Sequence, residues 1–145
     1  MSQIKNTRNI QTSRADVNVK ARDQEKINDF AVGFSEACRL KRNLKALSSE
    51  IQDMDDSLSV VDEIELMGTD DDMVGCSIGD LFVYVSFDQA KAMINVRKQQ
   101  CKVDLNILNG KLDDLKTVLS SLKTDLYSRF GNAINLDDDD EENIL

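Results

Sequence analysis

The stretch Met73-Val74-Gly75-Cys76-Ser77-Ile78-Gly79-Asp80-Leu81-Phe82-Val83-Tyr84-Val85-Ser86 decides the fold. Leu81 to Val85 is β-branched and aromatic, the composition that suits a pleated surface. Gly79-Asp80 is a tight hairpin signal between apolar runs. The reading is two strands, Met73 to Ile78 and Leu81 to Ser86, forming one hairpin over 73–86. Gly75 and Cys76 are weak strand residues, so the first strand is expected to be short or bulged.

Long heptads flank the hairpin on both sides. Before it, Phe30, Gly33, Ala37, Leu40, Leu44, Leu47, Ile51, Met54, Leu58 and Val61 recur at alternating steps of 3 and 4. After it, Ile94, Lys98, Cys101, Leu105, Leu108, Leu112, Leu115, Leu119, Leu122 and Leu126 do the same. A mean period of 3.5 residues is the narrow seam of a coiled coil rather than the wider face of a globular helix. Asp23 reads as an N-cap and Gly68 as a stop, giving a first helix over 24–67, ~65 Å long at about 1.5 Å per residue. Ser86-Phe87-Asp88-Gln89 is a capping box and Gly131 a C-cap glycine, giving a second helix over 87–130.

If the hairpin reverses the chain, the seams meet antiparallel. Setting Leu58 near Ile94 brings Ile51 to Cys101, Leu47 to Leu105, Leu40 to Leu112, Gly33 to Leu119 and Phe30 to Leu122. Between the Leu58–Ile94 and Phe30–Leu122 layers, only Met54 meets a polar residue, Lys98. The same register ends both helices together, with Arg22 beside Phe130. Charge agrees. Between Ala46 and Ala90 there is no Lys or Arg, while Glu50, Asp53, Asp55, Asp56, Asp62, Glu63 and Glu65 face Lys91, Arg97, Lys98 and Lys102. Such pairs disfavour other registers more than they stabilise this one. The fold class is therefore mainly α, a long antiparallel two-helix coiled coil over 23–131 with a central β-hairpin.

Composition narrows the function. The chain has 145 residues, net charge -9, 5% aromatic residues, and no Trp, Pro or His. Without His, the commonest general base and metal ligand near neutral pH is missing. No catalytic site, metal site or cofactor is expected. An acidic chain is poorly suited to nucleic acid. No apolar run approaches the ~20 residues of a membrane span, so no membrane partner is expected either. Cys38, Cys76 and Cys101 are an odd, widely spaced set, read as reduced thiols of a cytoplasmic protein.

The two ends read as tails. Residues 1–22 are basic and Ser/Asn/Gln-rich, with no apolar period and no amphipathic face of a transit peptide. Residues 132–145 contain six consecutive acids, Asp137 to Glu142, which repel one another and point to disorder. Asp70-Asp71-Asp72 invites a calcium reading, but Leu81 stands where an EF-hand needs its twelfth-position Glu.

A lone hairpin with apolar residues on both faces and two unpaired edges is marginal in water. A two-helix coil offers only a narrow seam to cover it. Strand pairing with other chains, building a sheet or barrel between subunits, is the expected solution. Met73, Val74, Ile78, Gly79, Asp80, Leu81, Phe82, Val83, Tyr84 and Val85 are then the assembly element.

Several stretches carry a resemblance to a known family. They are Ala15 to Val19, Asp23 to Ala31, Ile78 to Val83, and Leu126-Tyr127-Ser128-Arg129-Phe130-Gly131-Asn132-Ala133-Ile134-Asn135-Leu136. With one hairpin between equal helices, the chain resembles the β-type subunits of prefoldin, a coiled-coil cochaperone. Residues 1–14 match nothing in that family. The resemblance implies a heterohexamer, in which the chain joins two α-type and three further β-type subunits through a double β-barrel. It implies capture of unfolded polypeptide, actin and tubulin among the clients, at the coil tips, and delivery to the cytosolic chaperonin without nucleotide.

In that architecture Ile27, Phe30, Phe34, Leu126, Tyr127 and Phe130 form the client-binding tip. Phe30 and Leu126 lie on the seam, where core packing also explains them. Ile27, Phe34, Tyr127 and Phe130 lie beside it, where partly exposed apolar groups can bind non-native chains adaptably. Two rival readings stay open: a scaffold or adaptor that oligomerises helix to helix, and an acidic chaperone for basic proteins acting through Asp137 to Glu142.

Overall fold

The structure, a computed structural model, describes residues 19–68 and 72–136. Helix α1 spans Ala21–Met67, strands β1 and β2 span Met73–Ile78 and Leu81–Ser86, and helix α2 spans Phe87–Phe130, followed by a 3-10 turn over Gly131–Ala133. The chain divides into two compact units. A hairpin unit comprises Arg39–Asp113, and a terminal unit combines the residues up to Cys38 with those from Asp114 onward. The expected tail before residue 19, Asp70 and Asp71, and the acidic run after Leu136 lie outside the described residues.

Each unit is built on the predicted seam. In the hairpin unit Leu40, Val61, Cys101 and Leu112 are buried, and Leu44, Leu47, Ile51, Met54, Leu58, Ile94, Leu105 and Leu108 are half-buried. In the terminal unit Ala37 and Leu126 are buried, with Phe30, Leu115, Leu119 and Leu122 half-buried. The antiparallel register is visible at Gly33. A methyl group added there would lie 2.8 Å from Leu119 Cδ2 and 3.5 Å from Leu115 Cδ1. Glycine weakens a helix interior by about 1 kcal/mol relative to alanine; here it lets the two backbones approach.

Charge pairing follows the same register in the hairpin unit. Arg97 Nη2 lies 2.6 Å from Glu50 Oε1, Lys91 pairs with Asp62 at 2.8 Å and with Glu65, and Lys98 pairs with Asp55. The last pair resolves the one seam mismatch. Lys98 lies half-buried and carries its ammonium out to Asp55, a stem packed on apolar surface with a wet head. The hydrogen bonds that Lys91 donates to Asp62 and Glu65 push its pKa up.

The ends of the elements follow local chemistry, with one correction. Ser86 and Gln89 form the reciprocal capping box: the Gln89 amide donates to Ser86 Oγ and the Ser86 amide donates to Gln89 Oε1, each at 3.2 Å. Gly68 and Gly131 take positive φ of 70° and 54° just past the two helices, as C-cap glycines do. Helix α1, however, starts at Ala21 rather than Gln24, and Asp23 is not its cap. The Lys20 carbonyl accepts the first helical bonds, from the Asp23 and Gln24 amides. Asp23 sits in the first turn and reaches back, accepting the Lys20 amide at 2.9 Å.

The hairpin is also more regular than expected. An unbroken antiparallel register runs from Met73 opposite Ser86 to Ile78 opposite Leu81, so β1 is neither short nor bulged. The physical reason lies at Gly75. Phe82 Cζ is 2.5 Å from where a Cβ would stand, so the Phe82 ring lies over the bare glycine backbone and supplies the missing packing.

Candidate functional site

Successive strand residues point to opposite faces, so the pairing register sorts the hairpin into two surfaces. On one face stand Val74 opposite Val85 and Cys76 opposite Val83. Val74, Cys76 and Val85 pack with Ile64 and Ile94 around a buried cluster of Val61, Phe87 and Ala90. This corrects the expectation that both faces want cover. The end of α1 and the start of α2 widen their apolar contact beyond the seam through Ile64, Phe87 and Ala90 and close off one face. Val83 is half-buried, and the Gly79-Asp80 turn is exposed.

The other face carries Met73, Gly75, Ser77, Phe82 and Tyr84. Phe82 and Tyr84 are 63% and 68% exposed, with their rings 5.3 Å apart edge to face. Met73 and the turn-proximal Leu81 are exposed as well. Among the described residues the sheet has two strands only, so each keeps an unpaired backbone edge. Large aromatic residues held in fixed geometry on an uncovered sheet mark an interaction surface rather than a core. Of the predicted assembly residues, Met73, Phe82 and Tyr84 face outward, while Leu81 stands on the packed face at its exposed turn end. Val74 and Val85 support them from below, and Ile78 contributes its place in the ladder. Sequence reasoning missed Leu66 and Met67, 87% and 83% exposed at the end of α1. Their signal was available: both stand off the heptad step immediately before Gly68.

The terminal unit is arranged differently. Leu126 is 1% exposed and Phe130 9% exposed, so both are interior residues. For Phe130 this departs from the expectation of a residue beside the seam with an open face. The Arg129 guanidinium lies 5.7 Å from the Phe130 ring centroid and covers it. Arg129 Nε also donates to Asp23 Oδ2 at 2.6 Å, tying the last turn of α2 to the first turn of α1. Burial alone would push the Asp23 carboxyl up; the Lys20 amide bond and the Arg129 bond and charge outweigh it and hold the pKa below its ordinary value. Ile27, Phe30, Phe34 and Tyr127 are half-buried. The Phe30 and Phe34 rings stack at 6.3 Å between centroids, one turn apart on α1. Lys123 Nζ stands 6.0 Å from the Tyr127 ring centroid.

Cys101 is fully buried, and burial followed by the nearby Glu50 carboxylate pushes its thiol pKa up. That is the environment of an inert thiol rather than a nucleophile. Among the described residues, no group of three or more His, Cys, Asp or Glu side chains converges as a metal site would require. No helix among them is long and apolar enough to cross a membrane.

A family model described as prefoldin subunit matches residues 24–133, which takes in the hairpin and nearly all of both helices. The chain belongs to the prefoldin subunit family. Curated relatives named prefoldin subunit 4 are similar over almost their full length. The human protein is 33% identical over 125 residues, covering 86% of this chain and 91% of the relative. The Saccharomyces cerevisiae protein is 30% identical over 127 residues, covering 88% and 95%. Among solved structures, the prefoldin beta subunit from Thermococcus strain KS-1 superposes with a TM-score of 0.65 at 18% identity, covering 78% of this chain and 96% of that one. At that identity the likeness establishes the fold, a prefoldin β-type arrangement of two helices and one hairpin.

Proposed function

We propose that the chain is a β-type subunit of a prefoldin cochaperone. The outward face of its hairpin joins two α-type and three further β-type subunits in a six-chain particle with an intersubunit β-barrel. The observation that carries this reading is the hairpin itself. One face is packed on the chain's own helices, while Phe82, Tyr84 and Met73 stand uncovered on the other, with Leu81 exposed at the turn, beside two free strand edges among the described residues. Neighbouring hairpins satisfy both needs at once, pairing the edges and burying the aromatics.

In this reading the terminal unit takes non-native polypeptide, with actin and tubulin as clients, and passes it to the cytosolic chaperonin without nucleotide. Ile27, Phe30, Phe34 and Tyr127 offer partly exposed apolar surface for that contact, and Leu126 and Phe130 hold the surface in shape. The working location is the cytoplasm. Alanine at both Phe34 and Tyr127 should weaken capture of an unfolded client several-fold, with the assembled particle intact; unchanged capture would remove the tip assignment.

One observation favours a second reading. Met93, Val96, Val103 and Ile107 on α2 are exposed apolar residues off the seam, at spacings that repeat along a helix face. A scaffold that oligomerises helix to helix would use them. Replacing Leu81 to Val85 with a polar turn separates the two: the cochaperone loses assembly, and the scaffold keeps it.

A further inference from the structure

The terminal unit does not end with α2. Gly131 takes φ 54°, the left-handed conformation that breaks the helix, and a single 3-10 turn over Gly131–Ala133 follows. The backbone is extended at Ile134, with φ -125° and ψ 141°. The Leu136 amide then donates to the Tyr127 hydroxyl at 2.9 Å, bringing the segment back along the last turns of the helix it has just left. Ile134 and Leu136 are half-buried, while Asn132, Ala133 and Asn135 are exposed. An extended segment with apolar residues at alternate positions turned inward and polar ones outward is lying on a surface. That surface includes Tyr127, one of the residues assigned above to client contact.

We infer that residues 131–136 form a strap that occupies the client ground of the terminal unit as an internal client. Its shape names the class of segment the ground accepts: an extended peptide with apolar side chains two residues apart and a backbone amide offered to the Tyr127 hydroxyl. A non-native chain supplies such segments wherever a core strand is still unpaired, because strands of a half-buried sheet alternate in this way. A folded protein does not offer them. The strap therefore competes with clients, and the apparent affinity for a client is the intrinsic affinity reduced by the fraction of time the strap is lifted. The strap also shields the apolar ground from other chains when no client is present. This inference rests on the tip reading under Proposed function.

The test uses the full chain in its assembled particle with the double substitution Ile134→Ser and Leu136→Ser, which removes the strap's apolar anchors and leaves Tyr127, Phe34 and the Asp23–Arg129 pair in place. Two probes are titrated: a labelled synthetic peptide with the sequence of residues 131–136, and reduced, carboxymethylated α-lactalbumin as a permanently unfolded chain. The variant should bind both about fivefold to tenfold more tightly than the wild type, as expected when a mostly closed strap is released. The unlabelled peptide should displace the unfolded chain. Leu136→Pro, which deletes the donated amide and replaces the Leu136 side chain but keeps the Ile134 anchor, should give a smaller gain in the same direction, and hydrogen exchange should report faster exchange in the strap in both variants. Equal or weaker binding by the double variant, with the strap shown open by exchange, would overturn the inference and leave the tip reading standing. If alanine at Phe34 and Tyr127 leaves capture unchanged, the tip reading fails, and the strap inference falls with it.

Discussion

The hairpin unit and the terminal unit use the same heptad seam and treat their aromatic residues in opposite ways. In the hairpin unit Phe82 and Tyr84 stand open on a regular two-stranded ladder, fixed by edge-to-face contact and by the bare backbone of Gly75. In the terminal unit Phe130 is buried under Arg129, Phe30, Phe34 and Tyr127 are half-buried, and Lys123 and the strap lie against Tyr127. An uncovered, rigid surface fits a permanent partner of fixed shape, because little ordering is left to be done on association. A partly covered surface at frayable chain ends fits partners that come and go. In the proposed reading, assembly and client handling are separated by how much apolar surface each unit leaves uncovered, more than by how much it contains.

The sharpest way to break this comparison is to spoil the open surface. Phe82→Asp should abolish assembly into the larger particle while leaving the helical circular dichroism of the chain nearly unchanged; size-exclusion chromatography with light scattering reads the outcome. Next in size is Leu126→Ala in the terminal unit. It empties a fully buried seam position and should lower stability by about 2–4 kcal/mol, measured by thermal or denaturant unfolding, with assembly through the hairpin kept. An intermediate effect is expected for Gly75→Val. The new side chain must displace the Phe82 ring, so the assembled fraction should fall without being lost, and dilution experiments would show earlier dissociation than in the wild type.

The smallest effect concerns the Asp23–Arg129 pair. Asp23 has a folded pKa below its ordinary value near 3.8, so its contribution to stability is present above that value and is lost as pH falls through the lower folded pKa. Asp23→Asn should lower the melting temperature modestly at pH 7. The gap from the wild type should close as the pH is taken below about 4, within the carboxylate range. A gap that is constant with pH would mean that the pair contributes packing rather than charge.

Most of the architecture was legible because it rests on periodic signals. The two seams, their antiparallel register, the Ser86–Gln89 capping box, and the glycine stops at Gly68 and Gly131 follow from local rules that leave a trace in residue spacing. What was not legible depends on contacts between residues far apart in the chain. Asp23 looks like a cap because Asp is a good one. Only the partnership with Lys20 and Arg129 shows it working from inside the first turn. Gly75 reads as a weak strand residue until the Phe82 ring is seen to need its bareness. The covered face of the hairpin depends on Ile64 and Ala90, which lie off the heptad step, and on Phe87, one heptad ahead of the first seam residue read in the second helix. The strap was visible only as the motif Leu126 to Leu136. Its extended backbone and its bond to the Tyr127 hydroxyl follow from a chain reversal at Gly131 that residue spacing does not encode.

The central claim is that the uncovered face of the hairpin makes this chain one subunit of a six-chain particle. Native mass spectrometry of the tagged full-length protein, purified with its bound partners, tests it most directly. The account predicts a particle of six chains containing five other small coiled-coil subunits, and its disappearance when Phe82 is replaced by Asp. A homodimer that persists unchanged in the Phe82→Asp variant would contradict it and transfer the function to helix-to-helix association.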